Sequence, residues 1–320
     1  MAWLTGWTYR KEVTVTNANA DYQTKVLVGE SSGASGEEVD CGGHVAADFD
    51  DLRFTAADGT TLLDYWIESI TGTTPNGLAT VWVQNNATPD TTLYMYYSGT
   101  ETAVSNGAAT FVIFDDFERG NDGDEIGGDW TEEGGTVEIS TAQAFSGTRS
   151  MKLVGGAANP YASIAKTAGA DYAYRFRIYK ETATVFLNTH GDGTERIYWR
   201  FDNAEDIHYY NGAYNDTGSN GAPDEWELVE INDINHGTPK YDIWWNDAKI
   251  QNDADTYASA SMSNKITFSN AGTTAGQDTW IDDFIVRKWA ATEPSFAFGS
   301  EETGVTPRYG FVNFQDPGIV

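Results

Sequence analysis

The chain has 320 residues, and its 19 Lys and Arg against 48 Asp and Glu leave a formal net charge of −29. A surface this acidic repels phosphate, which excludes nucleic acid or a polybasic membrane-surface role as the main business of the molecule, and an aromatic content of 13% excludes a disordered acidic tail. With 11 Trp, 17 Tyr and 15 Phe beside ten Leu and 33 Gly, the composition is that of sheets and turns, and the fold class expected is all-β.

Along the chain, Met1 to Lys11 lacks a basic stretch followed by an apolar one, and no run approaches the roughly 18 apolar residues of a membrane span. Neither an export signal nor membrane insertion is expected. Glu12–Thr16, Ala79–Val83 and Thr92–Tyr97 alternate with period two between turn residues and read as sandwich strands. Asp51–Thr60 ends in an Asp-Gly turn, and Leu63–Glu68 supplies the returning strand of a hairpin. The single cysteine, Cys41, lies in a polar run and reads as a free loop thiol, so no intrachain disulfide is available.

Two acidic-aromatic runs, Phe114-Asp115-Asp116-Phe117-Glu118 and Trp280-Ile281-Asp282-Asp283-Phe284, bracket the next block. Between them Tyr172–Lys180, Thr184–Thr189, Arg196–Asp202, Asp206–Tyr210, Glu225–Asn232 and Tyr241–Asn246 follow one another through Gly, Asn and Asp turns. That spacing suits a jelly roll whose first and last strands are neighbours. The expected organisation is two consecutive β-sandwiches, residues 1–112 and 113–290, with 291–320 as an extended tail.

Trp7-x-Tyr9-Arg10-Lys11, Asp51-Leu52-Arg53-Phe54, Tyr65-Trp66-Ile67-Glu68, Val81-Trp82-Val83 and Leu93 to Gly99 resemble the domain of unknown function 2341 over roughly residues 3 to 112. The opening and closing runs of the second block, with Phe145-Ser146-Gly147-Thr148-Arg149-Ser150-Met151, resemble a concanavalin A-like (LamG-like) jelly roll. These resemblances imply archaeal, bacterial or viral surface proteins, with sandwiches displayed outside cells or on virions. They imply no settled activity.

If the bracketing strands pair, Asp115, Asp116 and Glu118 approach Asp282 and Asp283. Such like charges are either solvated or share a hard cation, and a structural Ca²⁺ is the cofactor the jelly-roll resemblance implies. Asn121-Asp122-Gly123-Asp124-Glu125 lacks the full EF-hand pattern and reads as a solvated turn. Glycoside hydrolysis needs two carboxylates flanking one bond, and in Glu225-Trp226-Glu227-Leu228-Val229-Glu230 the third Glu points away from the first two. No nucleophile, zinc or phosphate-loop motif is present, and His44, His190, His208 and His236 are scattered, so no catalytic residues are assigned and the protein is expected not to be an enzyme.

Binding has better carriers. Tyr174, Phe176 and Ile178 alternate with Arg175, Arg177 and Tyr179, and Ile197, Trp199 and Phe201 alternate with Tyr198, Arg200 and Asp202. Carried onward, the alternation puts Arg175, Tyr198, Arg200, His208, Tyr210 and Trp244 on outward faces. There they either stack on sugar rings or pack beneath loops and other subunits. The tail residues Tyr309, Phe311 and Phe314 are expected to bury against a neighbouring copy or another particle protein, forming a homo-oligomer or anchor. The expected function is a structural protein of a virion surface that attaches to a host glycan or glycoprotein. The sparse basic side chains suit a halophilic setting, where molar salt cuts the Debye length to about 3 Å. A secreted or cell-surface carbohydrate-binding adhesin is the alternative, and a glycan-degrading enzyme the third.

Overall fold

The computed structural model describes residues 2–99, 105–156, 158–165, 172–190, 197–235, 240–257, 265–272 and 274–304. Eight strands come first: β1 (Trp7–Thr16), β2 (Gln23–Gly29), β3 (Val39–Asp40), β4 (Arg53–Thr55), β5 (Leu62–Leu63), β6 (Tyr65–Thr71), β7 (Leu78–Gln84) and β8 (Thr92–Gly99). A single helical turn, α1 (Gly107–Thr110), is capped by the Asn106 side chain, which accepts from the Ala109 N–H. The second block then runs through β9 (Ile113–Asp115), β10 (Trp130–Gly134), β11 (Val137–Ser140), β12 (Ser150–Leu153), β13 (Tyr161–Ala165), β14 (Tyr172–Lys180), β15 (Phe186–His190) and β16 (Ile197–Phe201). It continues with β17 (Asp206–Tyr210), β18 (Tyr214–Asn220), β19 (Trp226–Asn235), β20 (Lys240–Trp245), β21 (Ala248–Asp255), β22 (Lys265–Asn270) and β23 (Thr279–Lys288), and β24 (Ser295–Thr303) follows.

These strands build four sheets: I (β24-β1-β8-β4-β5), II (β3-β2-β7-β6), III (β11-β12-β23-β14-β19-β20-β21, with β9 on β23) and IV (β10-β13-β22-β15-β16-β17-β18). The all-β expectation is met. Sheets I and II enclose one core, in which Val13 and Val15 of β1, Val26 and Val28 of β2, and Val81 and Val83 of β7 are buried together with Phe54 and Met95. Sheets III and IV enclose a larger one, where Tyr174 and Phe176 of β14 meet Phe186, Trp199 and Phe268. Each such fully buried side chain contributes roughly 1.5–3 kcal/mol. The polar ends inside are matched: Asn188 Oδ1 accepts from the Tyr174 hydroxyl at 2.5 Å and from the Trp199 indole N–H at 2.7 Å.

The expected pairing of the bracketing strands is present, with Asp115 of β9 opposite Phe284 of β23. Three expectations change. The strand after the Asp58-Gly59 turn divides at Asp64: Leu62 and Leu63 pair with β4, whereas Tyr65 onward crosses to sheet II and pairs with β7. Cys41 is fully buried in the first core, and burial pushes its thiol well up, so it is no exposed loop thiol.

The stretch from residue 291 is not wholly a tail either. β24 returns to the first sandwich and pairs with β1, placing Phe296 opposite Val15 and Phe298 opposite Val13. Glu302 bonds Arg10 at 2.7 Å, and Glu301 bonds the Tyr97 hydroxyl at 2.7 Å and His44 Nδ1 at 3.0 Å. The first sandwich is therefore completed by chain that follows the second. Tyr309, Phe311 and Phe314 lie outside the described residues.

Candidate functional site

The strands β16, β17 and β18 share one register, pairing Arg200 with His208, His208 with Asp216, and Tyr210 with Tyr214. On β16 the apolar Ile197, Trp199 and Phe201 enter the core, so Tyr198 and Arg200 face outward, and on β17 the buried Ile207 leaves His208 and Tyr210 on that same face. Four of the six residues expected to bind a glycan thus come together, and the tight turn at Asn211-Gly212 adds Tyr214, which is 41% exposed. Ring centres lie 5.3 Å apart for Tyr198 and Tyr210, 5.8 Å for Tyr198 and Tyr214, and 5.0 Å for Tyr210 and Tyr214. The Tyr214 hydroxyl donates to that of Tyr198 at 2.8 Å, and Tyr257 flanks Tyr210 at 5.0 Å.

The Arg200 guanidinium lies 3.7 Å from the Tyr214 ring centre and is steered by Asp202, whose Oδ2 accepts from it at 3.3 Å. Asp202 is held in turn by the backbone N–H groups of Ala204 and Asp206, and His208 Nδ1 stands 3.5 Å from it. The result is a cluster of aromatic rings with hydroxyl, guanidinium and imidazole groups at its margin. Such a surface stacks on the C–H face of a sugar ring and exchanges hydrogen bonds with its hydroxyls.

Arg175 and Trp244 do not join this cluster. They lie on sheet III, whose outward face is covered in large part by the first sandwich. Arg175 is 4% exposed and bonds Glu68 of β6 at 3.0 Å, Glu230 at 3.3 Å and Asp247 at 2.9 Å. Arg287 completes the junction through Glu230 at 2.7 Å, Glu293 at 2.9 Å and the Tyr22 hydroxyl at 3.0 Å. Burial alone would raise the Glu230 carboxyl, but Arg287 and Arg175 outweigh it and hold it down at about 2. Trp66, Trp82, Phe111 and Ile285 form the apolar part of the same junction. The alternation correctly turned Arg175 away from its own core. An ion-pair partner on the preceding domain left no trace in the local pattern.

The bracketing carboxylates surround the middle of β23, which carries Asp282 and Asp283 and has Asp115 paired opposite Phe284, yet many of their oxygens are engaged. Asp115 accepts from the Phe117 N–H, from Arg119 at 2.6 Å and from the Trp130 indole at 2.8 Å. Asp116 accepts from the Glu118 N–H, and Glu118 from the N–H groups of Thr148 and Arg149. Asp282 accepts from the N–H groups of Phe145, Ser146 and Asp283. Asp283 Oδ1 accepts from the Ser146 hydroxyl, leaving Oδ2 buried without a hydrogen-bond partner among the described residues. Desolvation, reinforced by Asp283, pushes the Asp282 carboxyl up to about 8, and desolvation pushes Asp283 up to about 6. A calcium ion shared by all five would compete with these N–H donors for carboxylate lone pairs, and it takes six to eight oxygens.

Sequence spacing did not reveal two other groups whose ligand atoms lie within 4.8 Å of one another, Asp202–Asp206–His208 and Asp233–Asp242–Asp253. In each a protein cation is already in place, Arg200 on Asp202 and Lys249 on Asp242. Glu227 and Glu230 fall on opposite faces of β19 as expected; Glu227 accepts from the Trp245 indole at 2.8 Å. Of the remaining histidines, His44 stacks on Tyr9 at 4.0 Å, and His236 lies outside the described residues.

In sequence, the family described as a domain of unknown function (DUF2341) matches residues 48–133, starting later than the expected residue 3 and running past 112. No curated protein matches the chain. Among solved structures, a sialidase aligns with a TM-score of 0.45 and 10% identity over 65% of this chain and 21% of its own. The botulinum neurotoxin serotype D binding domain aligns at 0.36 and 14% over 50% of this chain and 43% of its own. A carbohydrate esterase from Shiga toxin-encoding bacteriophage phi24B aligns at 0.39 and 16% over 50% of this chain and 90% of its own. The chain thus spans less than half the length of the first two.

Proposed function

We propose that this protein is a glycan-recognition module displayed on a surface, binding saccharide through the tyrosine face of sheet IV. The observation that carries the reading is the convergence of Tyr198, Tyr210 and Tyr214 with Arg200 on three adjacent strands, with Tyr214 exposed. Rings held by a sheet lose little freedom on binding, which favours affinity, and display in many copies would add avidity. An array of neutral and acidic glycans probed with wild type and with a Tyr198→Ala, Tyr214→Ala double variant tests it. Retention on specific glycans that falls at least tenfold in the variant is expected. Unchanged retention overturns the tyrosine face as the site.

The setting we propose is the surface of a virion, with residues beyond Gly304 joining the protein to copies of itself or to other particle proteins. Truncation after Gly304 is expected to leave the sandwiches folded while preventing incorporation into particles. Normal incorporation counts against the proposal. Calcium enters the same proposal at Asp283, whose Oδ2 is buried without a hydrogen-bond partner among the described residues, with the neighbouring Asp116 and water supplying further oxygens.

A further inference from the structure

Where sheet II stops covering sheet III, a cleft of about 420 Å³ opens between the two sandwiches. The volume falls in the range of small-molecule sites. Its walls come from both sandwiches: Lys25 and Trp82 from the first, and Trp244, Lys249 and Trp289 from the second. Trp82 is buried, whereas Trp244 and Trp289 are partly exposed. Trp244 is fixed by its indole N–H, which donates to Asn232 Oδ1 at 3.2 Å, and the Lys249 ammonium stands 5.3 Å from its ring centre.

Charge restricts what can enter. Five acidic groups line the cleft, Glu230, Asp233, Asp242, Asp247 and Glu293, against three basic ones. Each base already has an acidic partner: Lys25 with Asp247 at 3.3 Å, Lys249 with Asp242, and Arg287 with Glu230 and Glu293. A phosphate, sulfate or uronate would meet excess negative charge and find its cations spoken for. A neutral ring bearing hydroxyls needs no counter-charge, because each hydroxyl both donates to a carboxylate and accepts from an ammonium, while the ring's C–H face lies against indole.

We infer that this cleft is a second saccharide site, selective for an uncharged sugar, and that it exists only because the two sandwiches dock. The inference goes beyond the tyrosine-face reading, since it concerns another sheet and stands without it.

Calorimetric titration with neutral gluco-, galacto- and manno-oligosaccharides and with oligouronates tests the inference. Four proteins are compared: wild type, the Tyr198→Ala, Tyr214→Ala double variant, and that double variant carrying either Trp244→Ala or Trp244→Phe. The tyrosine double variant is expected to retain binding of a neutral oligosaccharide and to ignore the uronates. Adding Trp244→Ala should weaken that binding at least tenfold, and Trp244→Phe, which keeps a ring and guards against misfolding, should restore part of it. Lys249→Ala, at a solvent-exposed position, should weaken it several-fold. If the tyrosine double variant binds no neutral sugar, the cleft is not a site and the tyrosine face stands. If it binds like wild type and Trp244→Ala removes everything, the cleft stands and the tyrosine face falls. Tighter binding of uronates than of neutral sugars, or no binding by wild type, overturns the inference.

Discussion

Asp282 and Asp283 pose the clearest problem at the scale of single residues, because desolvation holds both carboxyls above their ordinary range, at about 8 and about 6. The folded state keeps protons that the unfolded chain releases near pH 4, so in the presence of chelator these groups make stability fall as pH rises from about 4 to about 8. Glu230 works in the opposite sense. Held down at about 2 by its arginines, it contributes stability that is present above the ordinary carboxylate range and lost as pH falls toward 2. Melting temperatures in chelator should therefore peak on the acid side of neutrality. If Asp283 holds calcium, adding the ion should remove the decline between pH 5 and 8. A decline that persists at saturating calcium excludes the ion from this pair.

The Arg175 site yields a second expectation. Glu68→Ala strips the first sandwich's acid from a buried pair and should cost about 3 kcal/mol in urea unfolding, since one charge then stays buried with less compensation. Replacing Glu68 and Arg175 together by Met should cost less than either single change. A double variant as unstable as the sum of the single ones would contradict this account.

Among the elements, β24 decides how the first sandwich closes. Ending the chain after Pro294 should expose the edge of β1 and loosen Arg10, Tyr97 and His44, seen as faster amide exchange across β1 and β8; ending it after Gly304 should not. Equal exchange in both truncations would show β24 to be dispensable. Strands with clear alternation were legible from composition and period alone: the expected Tyr172–Lys180, Asp206–Tyr210 and Tyr241–Asn246 match β14, β17 and β20 within one residue at either end. β18 was not legible, because Tyr214-Asn215-Asp216-Thr217-Gly218-Ser219-Asn220 forms a polar edge strand with no apolar phase. Its sole signal is the Tyr-Asn-Gly-Ala-Tyr turn, which would have added Tyr214 to the candidate site. β2 was missed for the opposite reason: Val26, Leu27 and Val28 form an unbroken apolar run that hides the alternation of buried Val26 and Val28 with exposed Lys25 and half-buried Leu27. The return of β24 depends on partners nearly 300 residues away, which no local pattern records.

For the whole molecule, the docking of sheet II on sheet III divides the outward faces between two tasks. One face is spent on joining the sandwiches through Arg175, Arg287, Glu68 and Trp82, and the tyrosine face of sheet IV stays on the outside. Sequence alternation predicts only that a side chain leaves its own core. It says nothing of what covers the far side, so Arg175 and Tyr198 looked equivalent.

The central claim is that saccharide binds on the tyrosine face, and the most direct test is a crystal structure of the protein soaked with an oligosaccharide selected on the array. The account predicts a sugar ring seated against Tyr198, Tyr210 and Tyr214 with a hydroxyl within hydrogen-bond reach of Arg200. Density for the sugar elsewhere, with these tyrosines bare, would contradict it.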